Sequence, residues 1–171
     1  MKKLLFFSLF FVSTANAGVV IYGTRIIYPA EKNEVLVQLM NQGGRSSLVQ
    51  SWIDDGDTSL PPEKIKVPFL LTPPVAKVAG DSGQQIKIKK MPNMLPNNKE
   101  SLFYLNVLDI PPNNPNSTGK NVLKFAMQNR IKLFYRPKGI APVNRGTFQK
   151  LSMKRTANSY SIQNDTANWV T

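Results

Sequence analysis

Along residues 121–137, NVLKFAMQNRIKLFYRP, apolar and polar side chains alternate. Leu123, Phe125, Met127, Ile131, Leu133 and Tyr135 fall on one face, with Asn129 as the polar exception. Lys124, Gln128, Arg130, Lys132 and Arg136 fall on the other. Period-two alternation predicts a β-strand with one dry and one wet face. Strands usually run about 5–6 residues, and this pattern persists for more than twice that. Either it spans two consecutive strands, or part of its apolar edge awaits cover from outside.

The same reading predicts strands at 19–28, 34–41, 47–53, 65–72, 84–90 and 101–109, with the long one at 121–135. Between them lie NQGGRSS, DDGDTSLPPE, PPVAKVAGDSG, MPNMLPNN and IPPNNPNSTG, rich in Gly, Pro and Asn. Such residues set turns. No segment offers a sustained helical period. Short strands punctuated this regularly predict an all-β chain whose main domain is an immunoglobulin-like seven-stranded sandwich. Trp52, on the third strand, suits the buried Trp of such cores.

Two ends of the chain stand apart from this pattern. MKKLLFFSLFFVSTANA joins a basic start, an apolar run and small residues at Ala15 and Ala17, the layout of a cleavable export signal over residues 1–17. The apolar run is about half the roughly 20 residues of a membrane-spanning helix. The sandwich is then expected over 18–137, followed by a Pro/Gly linker at 138–146. Residues 147–171 look like the incomplete start of a second, C-terminal β-sandwich domain, because so few residues cannot bury a core of their own. The chain reads as truncated within that domain.

Charge and composition narrow the function. The formal net charge is +12, and removing Lys2 and Lys3 with the leader leaves +10. In an exported chain this favours an anionic partner or surface over nucleic acid. Cysteine and histidine are both absent. Without His, triads and most zinc sites lose their usual components. Asp54, Asp55 and Asp57 cluster, but the calcium-loop positions that require Gly and Glu hold Leu60 and Lys66. A turn is the better reading. No catalytic, metal or cofactor site emerges, and neither enzyme activity nor a small-molecule substrate is expected. Arg25 and Lys132 sit inside strands. Each is either an edge charge that discourages aggregation or one of two cations that meet to hold an anion.

ESLFYLNVLDIPP, a short loop and then NVLKFAMQNRIKLFYRP resemble the signature of periplasmic pilus chaperones of the PapD-like class. TPPV at 72–75 and YGTRIIYP in the first strand match as well. The resemblance implies two immunoglobulin-like domains flanking a cleft. It also implies a function: pilus or fimbrial subunits, which lack their last strand, are captured in the periplasm, stabilised and delivered to an outer-membrane usher. The last strand of domain one would fill the subunit's groove by strand addition.

By motif match, Leu123, Phe125 and Met127 are the donor side chains, and Arg25 with Lys132 anchors the subunit's terminal carboxylate. Glu100 and Arg136 belong to an interdomain salt-bridge set whose third, acidic member is expected beyond Thr171. The short PPNNPNSTG loop suits the subclass serving rod-like pili. Self-association would cap the donor edge when no subunit is present. A structural fimbrial subunit or adhesin domain is the alternative, although such a subunit would carry an N-terminal donor extension, and the first strand starts almost at Gly18. An exported carbohydrate-binding or hydrolytic sandwich would want loop aromatics or paired carboxylates.

Overall fold

A computed structural model describes residues 18–113, 121 and 123–170. The expected leader and most of the loop before residue 121 lie outside the described residues. The chain is β-rich, with two packed sheets and a separate hairpin. The first sheet has four strands in the order β1-β3-β7-β5: Val19–Ile21, Glu34–Asn41, Gly83–Lys90 and Phe69–Thr72. The second has five in the order β2-β9-β8-β4-β6: Arg25–Pro29, Met127–Arg136, Ser101–Ile110, Ser47–Asp54 and Val75–Val78. All neighbours run antiparallel except β2 and β9, which are parallel. This is the expected immunoglobulin-like sandwich.

The core follows from alternation. Val37 and Leu39, Ile86 and Ile88, Val49 and Ile53, and Phe103, Leu105 and Val107 turn inward from their strands. Tyr28, Phe69, Phe103 and Tyr135 form its aromatic centre, with ring centroids 5.0–6.2 Å apart. The Tyr28 phenol, fully buried, donates to the Asn33 carbonyl at 2.8 Å and accepts from the Lys90 amide at 2.9 Å. Burial pushes its pKa upward, so it remains a neutral hydrogen-bonding group.

The strand expectations need four corrections. The first strand is two: β1 pairs with β3 in one sheet and β2 with β9 in the other. The chain switches sheets at Gly23, whose φ of 109° is open to glycine and strained for other residues. Trp52 is not the core tryptophan. Val49, Ser51 and Ile53 point inward, so Trp52 faces outward, half-buried, opposite Asn106. β6 forms within PPVAKVAGDSG, where the Pro- and Gly-rich composition predicts a turn. Finally, β9 begins at Met127, six residues after the pattern does. Its partner β8 ends at Ile110 and runs into Pro111 and Pro112, which have no N–H to continue a ladder.

Past β9, a five-residue helix, α1 (Arg145–Gln149), stands where no helix was expected. It is too short to show a period and is held by a local capping box between Asn144 and Thr147. β10 (Leu151–Arg155) and β11 (Tyr160–Asn164) then pair as a two-stranded hairpin. Met153, Tyr160 and Ile162 on it are 64–68% exposed.

Candidate functional site

β9 has two unequal edges. Along one, β8 pairs with it from Met127 to Tyr135. Along the other, β2 pairs only from Lys132 to Arg136. Residues 127–131 therefore have no strand on that side among the described residues. The cause lies at Gly23: β1, which could have extended β2 alongside β9, has crossed to the other sheet. One bond from β1 reaches back, from the Asn129 side-chain amide to the Val19 carbonyl at 3.2 Å.

The apolar side chains that lead into this open half are exposed: Leu123 by 79%, Phe125 by 70% and Met127 by 62%. Further along the same face Leu133 and Tyr135 are buried in the core. An unpaired strand edge flanked by large exposed apolar side chains invites another strand.

Where the open edge ends, two cations stand side by side. Arg25 is the first residue of β2 and is in register with Lys132. Adjacent strands lie about 4.8 Å apart, so both cations can address one anion. Neither takes part in an ion pair among the described residues. Across the sheet the row continues through Tyr104 on β8 to Asp54 on β4.

A third cation nearby is already occupied. The Arg130 guanidinium donates to Asp54 at 2.6 and 3.3 Å and lies 3.7 Å above the Tyr104 ring. Asn106 adds a third donor to Asp54 at 2.5 Å, and the Gly56 amide a fourth at 2.8 Å. Burial alone would push the Asp54 carboxyl up, but these donors outweigh it and hold the pKa below the usual carboxylate range. Arg130 is thereby neutralised, whereas Arg25 and Lys132 take part in no ion pair among the described residues. The sequence reading missed this cluster because its members come from three strands.

Glu100 and Arg136 form an ion pair at 2.6 Å, with Glu100 only 3% exposed. Glu100 also binds the C-terminal segment. Its other carboxylate oxygen accepts from the Trp169 amide at 2.8 Å, its carbonyl accepts from the Trp169 indole at 3.0 Å, and its amide donates to the Ala167 carbonyl at 2.8 Å. Trp169 was not anticipated; only its place in NWV near the chain end could have flagged it. Asp55 and Asp57 are engaged in bonds to backbone amides two residues on, as turn-forming aspartates are.

The family model for the pili and flagellar-assembly chaperone, PapD N-terminal domain, matches residues 18–141. A probable fimbrial chaperone of Escherichia coli K12, YehC, is 73% identical over 99% of this chain, which spans 70% of that protein's length. The crystal structure of the Pseudomonas aeruginosa CupB2 chaperone superposes with a TM-score of 0.75 at 35% identity, covering 87% of this chain and 70% of that one. A structure of the Salmonella enterica SafA pilin in complex with the SafB chaperone contains a chain matching with a TM-score of 0.78 at 25% identity, over 91% of this chain and 72% of that one. The sandwich, the sequence block from Glu100 to Pro137 and these relatives agree: the chain belongs to the family of pilus-assembly chaperones.

Proposed function

We propose that this chain captures fimbrial subunits in the periplasm by lending them the open half of β9, and hands them on to an outer-membrane usher. One observation carries the reading: exposed Leu123, Phe125 and Met127 lead along an unpaired strand edge directly to the Arg25–Lys132 pair. A subunit strand laid on that edge would gain main-chain hydrogen bonds from the strand and pocket contacts from alternate side chains. Burying three large apolar side chains contributes roughly 1.5–3 kcal/mol each. The cations contribute less but fix position. A slip of one residue would turn the donor side chains away from the groove, so a terminal carboxylate held between Arg25 and Lys132 sets the register.

The exposed β10–β11 hairpin is, in this reading, the opening of a second β domain, and Glu100 with Arg136 ties it to the first. Self-association covers the open edge between subunits. The apolar leader directs export.

The test uses the purified protein and a peptide matching the last strand of a fimbrial subunit, synthesised with either a free carboxylate or a carboxamide end. Tight binding of the carboxylate form, weakened by amidation and by Lys132→Ala to a similar extent, supports the anchor. Charge-assisted hydrogen bonds contribute about 1.5–3 kcal/mol, so the expected loss is about 10–100-fold. Equal binding of both peptides to wild type and variant would reject the anchor role of Lys132.

A further inference from the structure

Asp109, at the end of β8, is a buried carboxylate that the strand-donation reading does not use. It is 7% exposed. Its Oδ2 accepts the Val19 amide at 2.9 Å, and its Oδ1 accepts the Ser47 hydroxyl. No cation pairs with it among the described residues. Arg45 lines the same open concavity of about 540 Å³ without forming an ion pair there. Buried carboxylates normally have a cationic partner, because the desolvation cost of a lone charge is large.

Gly18 is pressed against this carboxylate. A Cβ on Gly18 would fall against Asp109 Oδ2 at a separation that real Cβ atoms essentially never show. The Gly18 carbonyl accepts the Gln42 amide at 3.2 Å, which pins the residue in place. Its Cα is therefore held beside Asp109, and the next nitrogen along the chain, that of Val19, already donates to it.

We propose that Asp109 is the receptor for the α-ammonium group created when the leader is removed before Gly18. Hydrolysis of the Ala17–Gly18 peptide bond consumes one water and leaves a carboxylate on Ala17 and an ammonium on Gly18. That ammonium supplies the cation Asp109 lacks. Processing thus completes an ion pair that fastens β1 to the end of β8. Because the Val19 carbonyl holds Asn129, the same fastening steadies the open half of β9. A side chain at position 18 would force the Asp109 carboxylate or the Gly18 backbone to shift, so glycine allows the closest approach.

The inference rests on cleavage before Gly18, so the first measurement is the mass of the exported, purified chain. A first residue other than Gly18 removes both the cleavage reading and the proposal. With Gly18 established as the first residue, four proteins are compared by thermal unfolding. These are wild type, Asp109→Asn, the chain with one extra alanine before Gly18, and that extended chain carrying Asp109→Asn. Asparagine keeps the shape and can still accept the Val19 amide.

The expected result is non-additive. Asp109→Asn lowers the Tm by several degrees when Gly18 is first and by much less when alanine precedes it. Equal losses in both backgrounds would overturn the ion pair while leaving the cleavage reading intact. As a second readout, amide hydrogen exchange at residues 127–131 should quicken in Asp109→Asn of the processed chain. Unchanged exchange there would overturn the link to β9.

Discussion

The two halves of the last long strand carry the same alternation and meet opposite fates. From Ile131 to Tyr135 the apolar positions turn into the sandwich, with Leu133 fully buried and Tyr135 7% exposed. From Leu123 to Met127 the same alternation leaves apolar side chains 62–79% exposed. Nothing in residue type distinguishes Leu123 from Leu133. The difference is in the neighbours: the later half lies between β2 and β8 and over the facing sheet, while the earlier half has β8 alone or no strand. Alternation specifies which face is apolar. Whether that face is covered depends on what the rest of the chain brings alongside.

The comparison can be broken or sharpened by substitution. The largest effect is expected where the covered half meets the C-terminal segment. Arg136→Ala removes the cation from a carboxylate buried to 3% exposure. Stripping one partner from a buried pair costs about 3–5 kcal/mol, measurable by equilibrium denaturation. A loss below 1 kcal/mol, as for an exposed surface pair, would mean that Glu100 is well solvated without Arg136.

Next come paired truncations across the two halves. Leu133→Ala should cost about 2–5 kcal/mol, whereas Leu123→Ala should fall within about 0.5 kcal/mol of wild type. Similar costs for both would erase the distinction between a covered and an open half.

Phe125→Asp tests the open half from the functional side. The isolated protein should unfold as wild type does, because Phe125 is 70% exposed. Co-purification with a fimbrial subunit should fall about tenfold or more, since a charge enters an apolar groove only at a large desolvation cost. Undiminished co-purification would assign the donor role to another surface.

The last test concerns Asp54 and carries a pH signature. Its carboxyl is held below the usual range in the folded chain, so it releases its proton more readily folded than unfolded. The stability this provides is fully present above the unfolded value, about pH 3.9. It is lost as pH falls through the lower folded value. Asp54→Asn should therefore lower the Tm at neutral pH, and the gap from wild type should close as the solution is acidified below about pH 4. A gap that stays constant down to low pH would point to lost shape or packing instead of charge.

Much of this molecule was legible in the sequence, and the limits of that legibility have physical causes. Strands such as 34–41 and 101–109 could be read because alternation and turn residues are local properties. Arg25, Lys132, Glu100 and Arg136 were reached through motif resemblance; composition and spacing alone left the two cations open between edge charges and an anion site. Trp52 was misread because a tryptophan's size favours burial, while its phase on β4, opposite to Val49 and Ile53, sends it outward. Trp169, the Asp54–Arg130–Tyr104 cluster and Asp109 against Gly18 went unseen. Their partners are 26–91 residues apart in sequence, and no local pattern records which strands become neighbours.

The sequence by itself determined that the chain is β-structured, where most strands lie and which face of each is apolar. These follow from dihedral preferences, side-chain period and turn chemistry within a few residues. Only the tertiary structure decided that the first strand divides between two sheets at Gly23, that half of β9 is consequently left with an open edge, and that Arg25 and Lys132 stand at its end. Those outcomes depend on long-range pairing, in which each strand takes its place according to the burial and hydrogen bonds available across the whole sandwich.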